Sequence, residues 1–235
     1  MKVICTICAR GGSQGVKNKN ILNLCGKPLI AHSIIQAKQS GLFDVIAVSS
    51  DSDKILKVAK KWGADLLIER SAELATATAA KLPVIQHAVL TAEQITSTVF
   101  DKVIDLDATS PLRLVSDITE AFKLFMQNKE AENLITAFPS RHSPYFNMVE
   151  LNQHGFVTLT KSLAKPIIRR QDSPLCYDMN ASIYIWKRAE LLKNAVVITE
   201  KTMLYVMPEE RSVDIDSPLD LQLVKLLAKT RQDLK

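Results

Sequence analysis

Short apolar runs of strand length alternate with segments of helical periodicity along this chain, and the alternation restricts the folds available to it. The runs at Val3–Cys8 and Val45–Ser50 each lead into a segment with apolar residues at helical spacing, such as Ile55 to Trp62. Strands joined by helices need crossover connections, so they lie parallel in a sheet covered on both faces. The pattern therefore predicts a three-layer α/β domain with a mostly parallel sheet. Further predicted elements are strands at Leu66–Ile68, Val103–Leu106, Ala181–Trp186 and Leu204–Met207, and a closing helix at Pro218–Ala228.

Length and apolar content favour one domain over residues 1–235. A chain of 235 residues with 47% apolar residues can bury a sizeable core. The alternation breaks between Pro139 and Pro174, where prolines, arginines and short alternating runs predict extended strands and loops. We therefore predict an insertion at 139–175 in the α/β domain.

Charge and hydropathy exclude several classes of partner. The net charge is +5, but the basic residues are scattered, so nucleic-acid binding is not predicted. No apolar stretch has the length of a membrane helix, and the N-terminus lacks the pattern of a secretory signal. Cys5 and Cys8 lie three apart in one predicted strand and therefore on opposite faces, which favours structural thiols and a reducing cytoplasm.

The loop after the first strand has the composition of a phosphate site. It combines glycines with basic residues: Arg10, Gly11, Gly12, Gly15, Lys17 and Lys19. Glycines can adopt positive φ and expose backbone N–H groups to a triphosphate, while the basic side chains supply countercharge. The spacing matches neither the dinucleotide fingerprint nor the P-loop, so an ordinary turn with solvated lysines is the alternative. Because ligands of parallel sheets bind at the carboxyl ends of strands, this loop, Asp51, the Arg70 loop and the loop at 107–113 should share one rim.

Two carboxylates near the C-terminus are candidates for a metal site. Asp214 and Asp216 are two residues apart, so in an extended segment both side chains point to the same side. Mg²⁺ is usually held by one or two carboxylates together with substrate phosphate oxygens. The alternative is that Asp216 or Ser217 caps the helix that begins with Pro218.

Five motifs in order along the chain carry a family resemblance. They are Ala9–Asn20, Arg70–Ala75, Ala108–Arg113, Asn180–Tyr184 and Asp214–Asp216. In these residues the chain resembles the acylneuraminate cytidylyltransferases (CMP-sialic acid synthetases). The segments Asp105–Asp107, Pro144–Asn147 and Cys176–Asn180 resemble the bacterial branch that activates legionaminic acid.

The resemblance implies a nucleotide-diphospho-sugar transferase-like fold and a specific reaction. An enzyme of this family transfers CMP from CTP to the anomeric hydroxyl of a nine-carbon 2-keto acid sugar for surface glycan synthesis, and it releases pyrophosphate. The implied cofactor is Mg²⁺, and the implied assembly is a homodimer in which the arm at 139–175 embraces the partner. The alternatives are a monomeric flap, a cytidylyltransferase for the eight-carbon keto sugar of lipopolysaccharide, and a non-catalytic nucleotide-binding regulator.

The resemblance also assigns roles to individual residues. The catalytic set is Arg10, Lys19, Asp214 and Asp216, of which Asp214 and Asp216 are the metal ligands. The nucleotide set is Arg10, Gly11, Gly12, Ser13, Lys19, Asn20 and Arg70. The sugar set is Asp107, Thr109, Ser110, Arg170, Gln171 and Asn180.

Some positions depart from the family pattern. Gln14 and Lys17 stand where many members have lysine and proline, so Lys17 is a candidate to replace the charge missing at Gln14. Asp178 stands where many members have an arginine that suits the sugar carboxylate. The carboxylate would then need Arg169, Arg170 or Lys81, or the sugar would bind in a different pose.

Overall fold

The structure is a computed structural model that describes residues 1–13, 15–76, 80–165 and 167–234. Within these residues the strands are β1 Val3–Cys8, β2 Asn23–Leu24, β3 Lys27–Pro28, β4 Val45–Ser50, β5 Leu66–Glu69, β6 Lys102–Leu106, β7 Asn133–Pro139, β8 Val149–Leu151, β9 Val157–Leu159, β10 Tyr177–Lys187 and β11 Thr202–Val206. The helices are α1 Leu29–Ser40, α2 Asp53–Lys61, α3 Lys81–Thr96, α4 Val115–Gln127, α5 Arg188–Lys193 and α6 Pro218–Ala228.

Seven strands form one sheet, in the order β11-β7-β10-β6-β1-β4-β5. The pairs β6-β1, β1-β4, β4-β5 and β11-β7 are parallel, whereas β10 is antiparallel to both β6 and β7. The predicted α/β fold with a mostly parallel sheet is confirmed. β7, α5 and the antiparallel direction of β10 were not predicted from the sequence pattern.

Helices cover both faces of the sheet, which gives the three predicted layers. One buried cluster joins side chains of α1, α2 and α4 to one face, and a second joins α3 and α5 to the other. Neighbouring residues of β1 divide between the faces, with Ile4 in the second cluster and Cys5 in the first. Cys8 packs against the second cluster, so Cys5 and Cys8 lie on opposite faces as predicted, and all four cysteines are free thiols.

A third buried cluster joins the glycine-rich loop to the acidic segment. Val16 from the loop, Ile215 from between the two aspartates, and Val224 from α6 belong to it. Burying these apolar side chains together removes them from water and brings the two chain segments into contact. The cluster thus sets the spacing between the loop and the carboxylates.

The segment between β7 and β10 leaves the main sheet. Within it, β8 and β9 pair with each other as an antiparallel hairpin. Large apolar side chains of the hairpin face solvent, with Leu151 and Phe156 each 71% exposed. None of the helices that the structure describes is long and apolar enough to cross a membrane.

Candidate functional site

A cleft of about 270 Å³ opens at the carboxyl ends of β1, β5 and β6. It is lined by Cys8, Arg10, Ser13, Lys19, Asn20, Arg70, Leu74, Thr76, Lys81, Val84, Asp107, Thr109, Asp214 and Asp216. Most of the residues assigned to the nucleotide and metal sets meet here, although they come from separate motifs. The cleft lies at the strand ends at which α/β sheets bind ligands.

Hydrogen bonds tie the glycine-rich loop to the rest of the rim. The Gly11 N–H donates to Asp51 Oδ1 at 2.8 Å, and Asn20 Nδ2 donates to the Arg10 carbonyl at 2.9 Å. Asp51 therefore holds the loop through its side chain. Asn20 is 4% exposed and has a structural contact in the loop.

The three loop glycines do not use the positive φ that is open to them. Among the residues of this loop that the structure describes, Asn18 is left-handed, with φ 55°, and none of Gly11, Gly12 and Gly15 has positive φ. Glycine is required at Gly15 for a different reason, because a Cβ there would lie 1.9 Å from the Asp216 carbonyl oxygen. Close approach of two backbones thus determines the residue type at Gly15.

Lys19 connects the loop to the acidic segment. Its Nζ donates to the Ile215 carbonyl at 2.6 Å and to Asp216 Oδ1 at 2.9 Å. The Asp216 side chain is nevertheless 78% exposed. The charged groups that the resemblance assigns to the triphosphate and to the metal are therefore already adjacent in the folded chain.

Ser217 caps the final helix, which leaves Asp216 free for another role. The Ser217 hydroxyl accepts from the Asp220 N–H at 3.3 Å, and Asp220 Oδ2 accepts from the Ser217 N–H at 2.7 Å. This is a reciprocal capping box. Since Asp216 contributes no side chain to the cap, the carboxylate is available to a ligand in the cleft.

Asp214 also lines the cleft, but it is more buried than Asp216. Its Oδ1 lies 2.5 Å from Thr109 Oγ1, and the Ile215 N–H donates to the Thr109 carbonyl at 3.1 Å. Burial, reinforced by the negative charge of Asp107, raises the pKa of Asp214 to about 6. Ionisation of Asp214 at neutral pH therefore costs free energy, which a bound cation would offset.

Lys81, the first residue of α3, lines the cleft, although no motif of the sequence assigned it there. Its Nζ lies 3.0 Å from Asp107 Oδ2, 3.3 Å from Asp105 Oδ2 and 4.5 Å from the centre of the Tyr184 ring. Burial disfavours the ammonium, but the attraction of Asp107 and Asp105 outweighs burial and raises the pKa of Lys81. The positive charge of the ammonium is already balanced by Asp105 and Asp107, so Lys81 is poorly suited to bind a sugar carboxylate.

The two carboxylates beside Lys81 respond to it differently. Burial raises the pKa of Asp105, despite Lys81 and a 2.7 Å hydrogen bond from Thr6 Oγ1. Burial also opposes ionisation of Asp107, but Lys81 and the hydrogen bonds from Thr109 hold the pKa of Asp107 well below its usual range. Asp107 is therefore a carboxylate kept ionised at the wall of the cleft.

The arginines at the nucleotide end are held by backbone carbonyls. The buried Arg70 donates through Nη2 to the Ser49 carbonyl at 2.8 Å, and Arg10 donates through Nη1 to the Thr76 carbonyl at 3.2 Å. The Ser13 hydroxyl oxygen is buried without a hydrogen-bond partner among the described residues. Two guanidinium groups and one unsatisfied hydroxyl thus face a space that an anionic ligand can enter. Gln14 lies outside the described residues, so it stays a prediction that Lys17 replaces the positive charge missing at Gln14.

The structure separates the residues assigned to the sugar. Asp107 and Thr109 line the cleft, whereas Ser110 is buried and its hydroxyl has no partner among the described residues. Asn180 is 3% exposed; its amide donates to Ser212 Oγ at 3.0 Å and accepts from Thr136 Oγ1 at 2.7 Å.

Arg170 and Gln171 lie outside the cleft. They line a separate cavity of about 410 Å³ whose lining residues come from the inserted segment and its two ends, between Pro139 and Cys176. Arg170 Nη2 donates to the Ser140 carbonyl there at 3.1 Å. One copy of the chain therefore does not bring them to the carboxylates.

Arg113, at the end of one motif, supports the rim from within the core. It is fully buried and donates to Gln36 Oε1 at 2.9 Å, the Ser182 carbonyl at 2.7 Å and the Asp107 carbonyl at 2.7 Å, and it also contacts the Ser33 hydroxyl. Burial lowers the pKa of Arg113 to about 10, so it stays charged at neutral pH. Its contacts make it a structural residue of the strand-end loop.

The donor groups of the cleft fit one kind of metal ion. Among the described residues no cluster of three or more His, Cys, Asp or Glu side chains could hold a metal ion by itself. Asp214 and Asp216 supply two carboxylates at one wall of the cleft. Mg²⁺ suits such a set, because it takes one or two carboxylates and completes its coordination with water and phosphate oxygens.

Comparisons with known proteins agree with the fold and the motifs. Residues 4–231 match the family model described as cytidylyltransferase. The chain is 50% identical to a Campylobacter jejuni protein named CMP-N,N'-diacetyllegionaminic acid synthase, over 96% of this chain and 94% of the relative. It is 31% identical to a Campylobacter jejuni pseudaminic acid cytidylyltransferase, over 99% of each chain. Among solved structures, a CMP:2-keto-3-deoxy-manno-octonic acid synthetase complexed with CTP has a TM-score of 0.67 at 17% identity, with coverage of 97% of this chain and 99% of the other.

Proposed function

The chain belongs to the cytidylyltransferase family of nucleotidyltransferase enzymes, and we propose that it transfers CMP from CTP to the anomeric hydroxyl of a nine-carbon 2-keto acid sugar of the legionaminic type. Pyrophosphate is the second product. The observation that supports the choice of sugar is the 50% identity to a protein named for diacetyllegionaminic acid, against 31% for one named for pseudaminic acid. An eight-carbon sugar and a purely regulatory role have no comparable support.

The glycine-rich loop and its neighbours bind the triphosphate in this proposal. Arg10 and Lys19 offset phosphate charge, the Ser13 hydroxyl finds its missing partner, and the open side of Gly12 admits a phosphate oxygen. A Cβ at Gly12 would meet nothing within 4 Å, so the space above its backbone is clear. Because phosphoryl-type transfer depends chiefly on positioning and electrostatics, no protein nucleophile is required.

Asp214 and Asp216 would hold Mg²⁺ together with phosphate oxygens of the nucleotide. When bound, the ion screens the charge that develops on the α-phosphate and on the departing pyrophosphate. Lys19 now bonds to Asp216 at 2.9 Å, and on nucleotide binding it turns toward the triphosphate. The two-residue spacing of the aspartates, with Ile215 buried between them, keeps both carboxylates toward the same wall.

A homodimer would complete the sugar side of the site. Arg170 and Gln171 lie away from the carboxylates of their own chain, and the hairpin carries Leu151 and Phe156 with most of their surface exposed. Exposed apolar groups of this size favour burial against another chain. We therefore propose that 1–235 is one catalytic domain, that 139–175 is a dimerisation arm that reaches the partner's cleft, and that the enzyme acts in the cytoplasm.

The test is pyrophosphate release from CTP and Mg²⁺ with a panel of acceptors. The panel contains N,N'-diacetyllegionaminic acid, pseudaminic acid, N-acetylneuraminic acid and the eight-carbon keto sugar. We expect the highest kcat/KM with the legionaminic derivative. A higher value with another nine-carbon sugar would overturn the sugar assignment alone, whereas CTP binding without release on any acceptor would indicate a regulator.

A further inference from the structure

We propose that Lys81, Asp107 and Thr109 form a relay that orients the Asp214 carboxylate toward a divalent cation, so that these three are positioning residues for the metal rather than ligands of the sugar. The inference rests on the proposed metal dependence of CMP transfer. It gives Lys81 a role that no motif assigns, and it moves Asp107 and Thr109 out of the set assigned to the sugar.

A continuous series of polar contacts joins the three residues to Asp214. Lys81 Nζ lies 3.0 Å from Asp107 Oδ2. The other oxygen of Asp107, Oδ1, accepts from the Thr109 N–H at 2.9 Å and lies 2.7 Å from the Thr109 hydroxyl oxygen. The same Thr109 hydroxyl oxygen lies 2.5 Å from Asp214 Oδ1. The series begins on α3, passes through the loop after β6 and ends on the acidic segment.

The outer end of the relay is anchored on several sides. Besides Asp107, the Lys81 ammonium contacts Asp105 at 3.3 Å, the Ala181 carbonyl at 3.5 Å and the face of the Tyr184 ring at 4.5 Å. Asp105 has only 1% of its side chain exposed. The ammonium cannot leave without stranding a buried carboxylate, which is strongly unfavourable. Asp107 is in turn fixed through both of its oxygens.

The inner end of the relay determines where Asp214 points. Among the described residues, the Thr109 hydroxyl is the one hydrogen-bond partner of the Asp214 carboxylate. The backbone bond from Ile215 N–H to the Thr109 carbonyl, at 3.1 Å, joins the two segments independently of that hydroxyl. Removing the hydroxyl therefore releases the side chain while the main chain stays in place.

Residues that orient a metal ligand have a measurable effect on affinity. Substituting such a partner weakens metal binding by about 10- to 100-fold. A sugar ligand would leave metal binding unchanged and raise the KM for the sugar. The two roles of Thr109 are therefore separable by experiment.

The first test compares Thr109→Val, which removes the hydroxyl at nearly constant volume, with Thr109→Ser, which keeps it. Binding of Mn²⁺ is followed by the electron paramagnetic resonance signal of the free ion, with CTP present and sugar absent. We expect Thr109→Val to bind Mn²⁺ about 10- to 100-fold more weakly than the parent, and Thr109→Ser to bind like the parent. Parent-like binding by Thr109→Val would overturn the relay.

A matched control removes a similar bond outside the relay. Thr202→Val loses a hydroxyl bond of 2.7 Å to Asn133 Oδ1, which joins the edge strand β11 to β7 and does not touch the relay. We expect it to lower the melting temperature and to leave Mn²⁺ binding unchanged. Equal losses of Mn²⁺ affinity in both valine variants would mean that the effect is merely structural, and would also overturn the proposal.

The outer end is tested in a background that protects the fold. Asp105→Asn removes one of the two carboxylates that depend on Lys81, and Lys81→Met is then added to it. We expect the double variant to bind Mn²⁺ more weakly than Asp105→Asn alone. Equal binding would remove Lys81 from the relay.

Kinetics separate this inference from the proposed function. In Thr109→Val we expect the apparent KM for Mg²⁺ to rise while the KM for the sugar stays the same, and the reverse pattern would restore Thr109 to the sugar. If the parent releases no pyrophosphate with any acceptor but Thr109→Val still loses Mn²⁺ affinity, the proposed function fails and the relay stands.

Discussion

Asp214→Asn should stabilise the metal-free protein while it abolishes most of the activity. The pKa of Asp214 is raised from an ordinary value of 3.8 to about 6 by burial and by Asp107. The folded state therefore binds this proton more tightly than the unfolded state, and above pH 6 ionisation in the folded state costs stability. The shift is about two units, and each unit is worth about 1.4 kcal/mol. Allowing for partial solvation of the carboxylate, we expect a gain of about 1–3 kcal/mol at pH 8.

The asparagine of this variant should also improve the local hydrogen bonding. Two carboxylate oxygens, of Asp107 and Asp214, lie 2.7 and 2.5 Å from one Thr109 hydroxyl, which carries a single hydrogen. In Asp214→Asn the new side-chain amide can donate to that hydroxyl oxygen while the hydroxyl donates to Asp107. The gain is therefore expected from removal of a charge and from a better-matched bond.

The assay is urea denaturation of both proteins with a chelator present, at several pH values. The advantage of Asp214→Asn should be complete above about pH 6 and should fall to about half at pH 5, since the penalty disappears as the pH drops toward 3.8. At pH 8 the melting temperature should rise by about 2–4 °C for each kcal/mol. Asp216→Asn is the matched control, because its side chain is 78% exposed and no gain is expected. Equal stability of Asp214→Asn and the parent at pH 8 would refute the reasoning.

Three more outcomes are expected from the packing. Gly15→Ala should reduce kcat/KM by on the order of 100-fold, because its Cβ would lie 1.9 Å from the Asp216 carbonyl oxygen and must displace the loop; unchanged steady-state kinetics would contradict this close approach. Arg113→Met should cost about 3 kcal/mol or more of stability in urea denaturation, since it strands several buried acceptors; an unchanged midpoint would contradict the structural role of Arg113. Leu151→Asp should convert the proposed dimer to a monomer in light scattering with little change in melting temperature, because Leu151 is 71% exposed in one chain; a dimer that persists would exclude this face as the interface.

Local periodicity in the sequence predicted much of the fold. The bounds of β1, β4 and α6 agree with the apolar runs and stripes of the sequence, because an amphipathic or fully buried segment shows its period in a few consecutive residues. The pairing of Asp214 with Asp216 on one side was also predictable, since Ile215 between them had to be buried. The family followed from short motifs whose order along the chain is itself specific.

Contacts between distant segments were decided by the tertiary structure. β7 lies between β10 and β11, and nothing in its own residues states that β10 runs antiparallel beside it. Lys81 and Asp107 are 26 residues apart, and Thr109 and Asp214 are 105 apart. Periodicity reports which face of an element is buried, but not which charged side chain of another element will meet it. Only the folded chain determines how the packed segments meet. That packing pairs Lys81 with two carboxylates, raises the pKa of Asp214 and brings Gly15 close to the Asp216 backbone.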